Sequence, residues 1–145
     1  MKLLPSPSVD LHQLEDLEAA RGLKAKKALL AALNKELLGL LEYALDPELP
    51  FPISDYRPPA SRYHDAKPQD SSRQVRDFMD FLDALSQMPE VSYADRLNID
   101  IRFRDYYTPM EQKWFARVMN KDLQCGVTER IFLSVFPDAF QRSTT

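Results

Sequence analysis

Glycine is scarce in this chain, with three residues in 145, at positions 22, 39 and 126. So few leave no room for a glycine-rich loop of the kind that cradles the phosphates of a nucleotide. One cysteine, Cys125, can form no internal disulfide, so the chain is expected in a reducing compartment such as the cytoplasm. Histidine occurs twice, as His12 and His64, and two histidines with one cysteine fall short of a metal-ligand set. The run Tyr63-His64-Asp65 reads as a turn with a partly packed aromatic rather than as hydrolase chemistry. No stretch approaches the roughly 18 apolar residues of a membrane helix, and the opening MKLLPSP is too short for a signal-peptide core.

The remaining composition is that of a globular domain, 44% hydrophobic and 28% charged, and long enough to bury one core without disulfide or metal. A net charge of −3 argues mildly against nucleic acid, but the charge is segregated, and segregation matters more than the total. Acidic residues crowd Asp10, Glu15, Asp16 and Glu18, and then the stretch from Glu36 to Glu48. Basic residues gather at Arg21, Lys24, Lys26 and Lys27, at Arg57, Arg62, Lys67, Arg73 and Arg76, and at Lys113, Arg117 and Lys121.

Leucines at helical spacing dominate the first third. After a flexible lead over residues 1–8, Asp10 is placed to cap a helix burying Leu11, Leu14 and Leu17, with Gly22 ending it in a left-handed turn. A second helix over Leu23 to Leu33 would bury Leu29, Leu30 and Leu33. Asn34 then caps KELLGLLEYALD, with Leu37, Leu38, Leu41 and Leu45 inward, until Pro47 and Pro50 stop it. Residues 50–72 hold proline, serine and charge without periodicity, which predicts a long extended connector. Beyond it, Val75, Phe78, Met79, Leu82 and Leu85 mark a fourth helix.

Ser92 is expected to cap a fifth helix with Ala94, Leu97 and Ile101 inward, although the alternation NIDIRF would also suit a short strand. Thr108-Pro109-Met110-Glu111 is a capping box led by proline, opening a helix that buries Met110, Trp114, Phe115 and Val118. Thr128 caps the last helix, with Ile131, Phe132 and Val135 inward and Pro137 as its stop. The expectation is an all-α chain, a single compact domain over residues 9–145 with about seven helices.

Between the last two helices lies the corner KDLQCGVT. Lys113, Arg117 and Lys121 fall four apart, which places them on one helix face away from Trp114 and Val118. Gly126 can take positive φ and admit a close approach, and the amides opening the next helix point back toward it. Cations beside free amides form a phosphate seat that reads no bases. The candidate nucleic-acid-binding residues are therefore Lys121, Gln124, Cys125, Gly126 and Thr128 at the corner, Lys113 and Arg117 beside it, and Lys24, Lys26 and Lys27 as a second anchor. Against this stands the plainer pattern of a solvated helix face followed by a C-terminal glycine, with Cys125 an apolar filler and Trp114 core.

MNKDLQCGVTERIFLSVFPD resembles the end of the N-terminal DNA-binding domain of ATP-dependent DNA ligases, especially those of T-even-type bacteriophages. Lys121, Asp122, Leu123, Gly126, Val135, Phe136 and Pro137 match the family's corner and the run that follows, while Asp138 stands where the family often has glycine. NKELLGLLEYALDPELPFPI and RDFMDFLDAL resemble earlier helices of the same domain. The resemblance implies an α-helical domain gripping duplex DNA, nicked, across its minor groove, with the catalytic ligase domains as partners in a longer chain. ATP and Mg would belong to those domains, in replication, repair or recombination. No Asp-Gly pair exists here, hence no Lys-x-Asp-Gly nucleotidyl motif, so no enzymatic role, cofactor or metal is expected of this chain alone. The alternative is a helical protein–protein module on the same scaffold that has lost DNA binding.

Overall fold

The computed structural model describes residues 8–64 and 70–140. The expected lead, apart from Ser8, lies outside the described residues, as do Asp65, Lys67 and the stretch 141–145. Seven helices follow one another: α1 His12–Ala19, α2 Leu23–Ala31, α3 Lys35–Leu45, α4 Ser72–Ser86, α5 Tyr93–Tyr106, α6 Pro109–Met119 and α7 Glu129–Val135. There is no strand among the described residues, and the fold class is all-α. None of the helices is long and apolar enough to cross a membrane.

Four of the five start signals act as polar caps; the exception is Asp10, since α1 opens at Leu11 without a side-chain cap and the Asp10 carboxylate instead accepts from the His12 amide at 2.9 Å. Asn34 accepts from the Glu36 amide at 2.8 Å, and Thr128 accepts from the Ile131 amide at 3.3 Å. Ser92–Asp95 and Thr108–Glu111 each close a reciprocal capping box, satisfying amides that would otherwise lack partners. The box at Ser92 explains why NIDIRF is helical and not a strand: it begins a helical turn upstream, and α5 runs through the alternating segment.

Helix α3 packs on α4 and α6, α4 on α6, α1 on α2, and α2 on α7. Where α4 and α6 meet, Phe78 stacks on Phe115 at 4.4 Å between ring centres, with Phe103 and Tyr107 edge-on to Phe78 at 5.9 and 5.8 Å. Such offset and edge contacts match negative ring faces to positive ring edges. The connector contributes as well. Tyr56 is buried beside Phe103 at 5.0 Å, and its hydroxyl donates to Asp100 at 2.6 Å. The Asn120 amide holds both the N–H and the carbonyl of Tyr56, at 2.8 and 3.0 Å. Residues 50–64 thus carry no regular structure but are pinned to the core at Tyr56.

Three expectations are corrected. Leu29 is exposed, because α2 is a short helix whose inward side is filled by Leu30, with Leu33 following beyond its end. Leu40 takes a fully buried place on α3, with Leu38 and Leu45 only partly covered. On α5 the buried side is Ile99 and Phe103, whereas Ala94, Leu97 and Ile101 face solvent. The aromatic cluster decides that rotation: turning Phe103 inward buries more surface than Leu97 would, and Tyr107 continues on the same side.

Gly22 is the fourth correction. Its φ is +90°, but with ψ 153° it opens α2 rather than closing α1. The carbonyls at the end of α1 are met instead by the Lys26 ammonium, 2.9 Å from Leu17 O and 3.4 Å from Glu18 O. Phe78→Ala should cost about 3–5 kcal/mol in urea unfolding, and Leu97→Ala should stay within about 0.5 kcal/mol.

Candidate nucleic-acid interface

Helix α6 ends at Met119, and the chain then turns through three left-handed residues in quick succession: Lys121 at φ +57°, Gln124 at +53° and Gly126 at +77°. For the two side-chain-bearing residues this conformation costs on the order of 1 kcal/mol each, so surrounding contacts must hold it. The first of those contacts involves Lys121. Its ammonium donates to the carbonyls of Tyr43, Asp46 and Leu49 at 2.9, 2.8 and 2.9 Å, closing the end of α3 and the start of the connector. It also lies 5.1 Å from the centre of the Phe51 ring. Burial lowers the Lys121 pKa, opposed by the charge of Asp46. Lys121 therefore does not share a face with Lys113 and Arg117. The helix stops before it, and its reversed backbone sends the side chain across to α3.

Lys113 and Arg117 do share a side of α6, and the acidic end of α1 covers it. Lys113 Nζ sits 2.8 Å from Glu15 and 3.2 Å from Glu18, and Arg117 lies 3.1 Å from Glu18. The Trp114 indole also donates to Glu15, at 2.6 Å, while the Arg117 guanidinium lies 4.8 Å from the Trp114 ring centre. Burial would raise the Glu18 pKa, but the bonds and charges of Arg117 and Lys113 outweigh it and hold the carboxyl below the ordinary 4.5. Two segregated charge blocks seen in the sequence are thus each other's partners.

The second anchor folds onto the corner itself. Lys26 donates to Cys125 O at 2.8 Å, besides its bonds to α1, and its stem fills the space beside Gly126. A Cβ built on Gly126 would come within 2.7 Å of the Lys26 Cε. Cys125 is buried, and burial pushes its thiol pKa up, as suits an apolar filler. Gln124, Gly126 and Thr128 are exposed. Lys24 and Lys27, on α2 beside Lys26, form no ion pair among the described residues.

The same holds for Arg21, just before α2, and for Arg130 on α7, which packs against α2. Sequence reasoning did not select Arg130, although its place two residues after the capping Thr128 was the available signal. The structure thus joins Lys24, Lys27, Gln124, Gly126, Thr128 and Arg130 on neighbouring elements, with exposed Asp122 and Glu129 among them. Lys26, Lys113, Arg117 and Lys121 are engaged in contacts within the chain.

A profile of the family described as DNA ligase N terminus matches residues 13–137. The chain belongs to that family. DNA ligase 4 of Homo sapiens and of Pongo abelii are each 29% identical to it over 147 residues, a span covering 91% of this chain and 16% of either ligase. Two solved structures, named Pmar-Lig_PreS3 and Pmar-Lig_Pre., share the ligase N-terminal chain's fold with TM-scores of 0.69 and 0.60, at 21% and 20% identity. Each match covers 89% of this chain and 30% of the other. The family match is to the N-terminal part of ligases, outside the nucleotidyl-transferring region.

A separate groove of about 840 Å³ lies between α4 and α5, floored by Phe81, Leu85 and Ile99 and edged by Arg73 and Arg102. Among the described residues no group of histidine, cysteine and carboxylates is gathered to hold a metal. For the Glu18 contacts the sign of pH dependence is fixed: a depressed carboxyl pKa stabilises the fold above 4.5, and that gain is lost as pH falls through the folded value. Glu18→Gln should therefore be less stable than the parent at neutral pH, and chemical unfolding at descending pH should show the gap closing below 4.5.

Proposed function

We propose that the chain is the DNA-binding domain of an ATP-dependent DNA ligase and holds duplex DNA, nicked, by its sugar–phosphate backbone without reading bases. The observation that carries this reading is the exposed Gly126 corner leading into α7, with α2, the helix of the unpaired Lys24 and Lys27, packed against α7. Lys24, Lys27, Gln124, Gly126, Thr128 and Arg130 form the contact surface in this reading. Amide and lysine donors on phosphate carry position but no sequence information. Lys26, Lys113, Arg117 and Lys121 hold that surface from behind, and Cys125 fills the space beneath it.

The net charge of −3 is compatible with such a role, since only the contacting face needs free cations. The partner domains would be the catalytic ligase domains, which would supply the ATP and Mg chemistry in replication, repair or recombination within the cytoplasm. The narrower affiliation with T-even-type phage ligases rests on the corner motif alone. A second reading, a protein–protein module, draws on one feature: Tyr93, Leu97 and Ile101, spaced by four along α5, are all exposed.

Binding of nicked and intact duplexes across a salt series separates the two. The first reading predicts that log affinity falls against log salt with a slope of about 3, one unit for each phosphate neutralised. Lys24→Glu with Lys27→Glu should weaken binding at least about tenfold and flatten that slope by about 2. A flat salt response in the parent domain favours the protein–protein module.

A further inference from the structure

We propose that Lys26 is a positioning residue that turns the Gly126 amide outward as a donor for a phosphate oxygen; this rests on the backbone-binding reading above. Lys26 Nζ, itself held by Leu17 O and Glu18 O, draws the Cys125 carbonyl inward at 2.8 Å. The Cys125–Gly126 peptide is trans, so its N–H lies opposite its carbonyl. With the oxygen pulled toward the ammonium, the Gly126 N–H faces solvent.

Arg117 does the same one peptide earlier, donating to Leu123 O at 3.3 Å, so the Gln124 N–H also faces away from the interior. Neither of these two amides has an acceptor among the described residues. Unsatisfied amides are tolerated only where a ligand or water reaches them, and both residues are exposed. The internal cations therefore act on an anion indirectly: each pulls one carbonyl in and thereby presents one amide out. Gly126 fits this role as well, since the Lys26 stem occupies the place a Cβ would need.

Lys26→Met keeps the stem and removes the ammonium. On a short nicked duplex this variant is expected to lose about tenfold in affinity, the worth of one hydrogen bond to a charged group, with the slope of log affinity against log salt unchanged. A direct phosphate contact by Lys26 would instead lower that slope by about one, and such a drop overturns the proposal, as does unchanged affinity. Lys26→Arg, which can still reach the carbonyls, should restore binding to within about threefold; failure to rescue in a folded variant counts against the proposal.

Amide exchange in the parent domain without DNA gives an independent reading. The Gly126 and Gln124 amides should exchange at nearly unprotected rates, and protection at Gly126 would contradict the outward orientation. If the parent shows no salt-dependent duplex binding while Gly126 exchanges freely, the functional reading has failed and the orientation has stood. If Lys26→Met does not fold, Lys26→Arg and the exchange measurement decide.

Discussion

Carbonyl groups at the ends of helices must find donors, and in this fold two of the donors are lysines from outside the helices they close, one from the next helix and one from the far end of the chain. Lys26 closes α1 and Lys121 closes α3, each through a half-buried ammonium bonded to several oxygens. Ammonium–carbonyl bonds are stronger than neutral ones, and losing the donor would strand several acceptors at once. Both lysines also belong to, or bind, the corner between α6 and α7. The same bonds that finish α1 and α3 therefore set the path of KDLQCGVT and hold its three left-handed residues in place.

The electrostatics follow from that arrangement. A chain with net charge −3 looks unsuited to an anionic partner until its charges are assigned. Glu15 and Glu18 are occupied with Lys113 and Arg117, while Asp77 and Asp105 take Arg102 and Arg104. Without an ion pair among the described residues are Arg21 and, on the packed helices α2 and α7, Lys24, Lys27 and Arg130. Membership of the DNA ligase N-terminal family rests on the match over residues 13–137, independently of these charges.

Local signals were legible in the sequence and long-range ones were not. The caps at Asn34, Ser92, Thr108 and Thr128 could be read because each acts within three residues of itself. Leucine and aromatic spacing disclosed the buried sides of α1, α4 and α6 for the same reason. The side of α5 was misread, since its rotation depends on rings from α4 and α6 that no local spacing shows. The lysines were the hardest. Lys121 meets carbonyls more than seventy residues earlier, and Lys26 meets one ninety-nine residues later, so both looked like solvent-facing charge. The positive φ and exposure of Gly126 are local properties that its sequence permits, whereas the internal partners of Lys26, Lys113, Arg117 and Lys121 are long-range contacts.

The most direct test of the account is a residue-by-residue map of amide shifts in the domain as a nicked duplex is added. The account predicts that the changes concentrate at Gln124, Gly126 and Thr128 and on α2 around Lys24 and Lys27, with the α4–α5 groove silent. Changes centred on Tyr93, Leu97 and Ile101, with the corner unmoved, would contradict it.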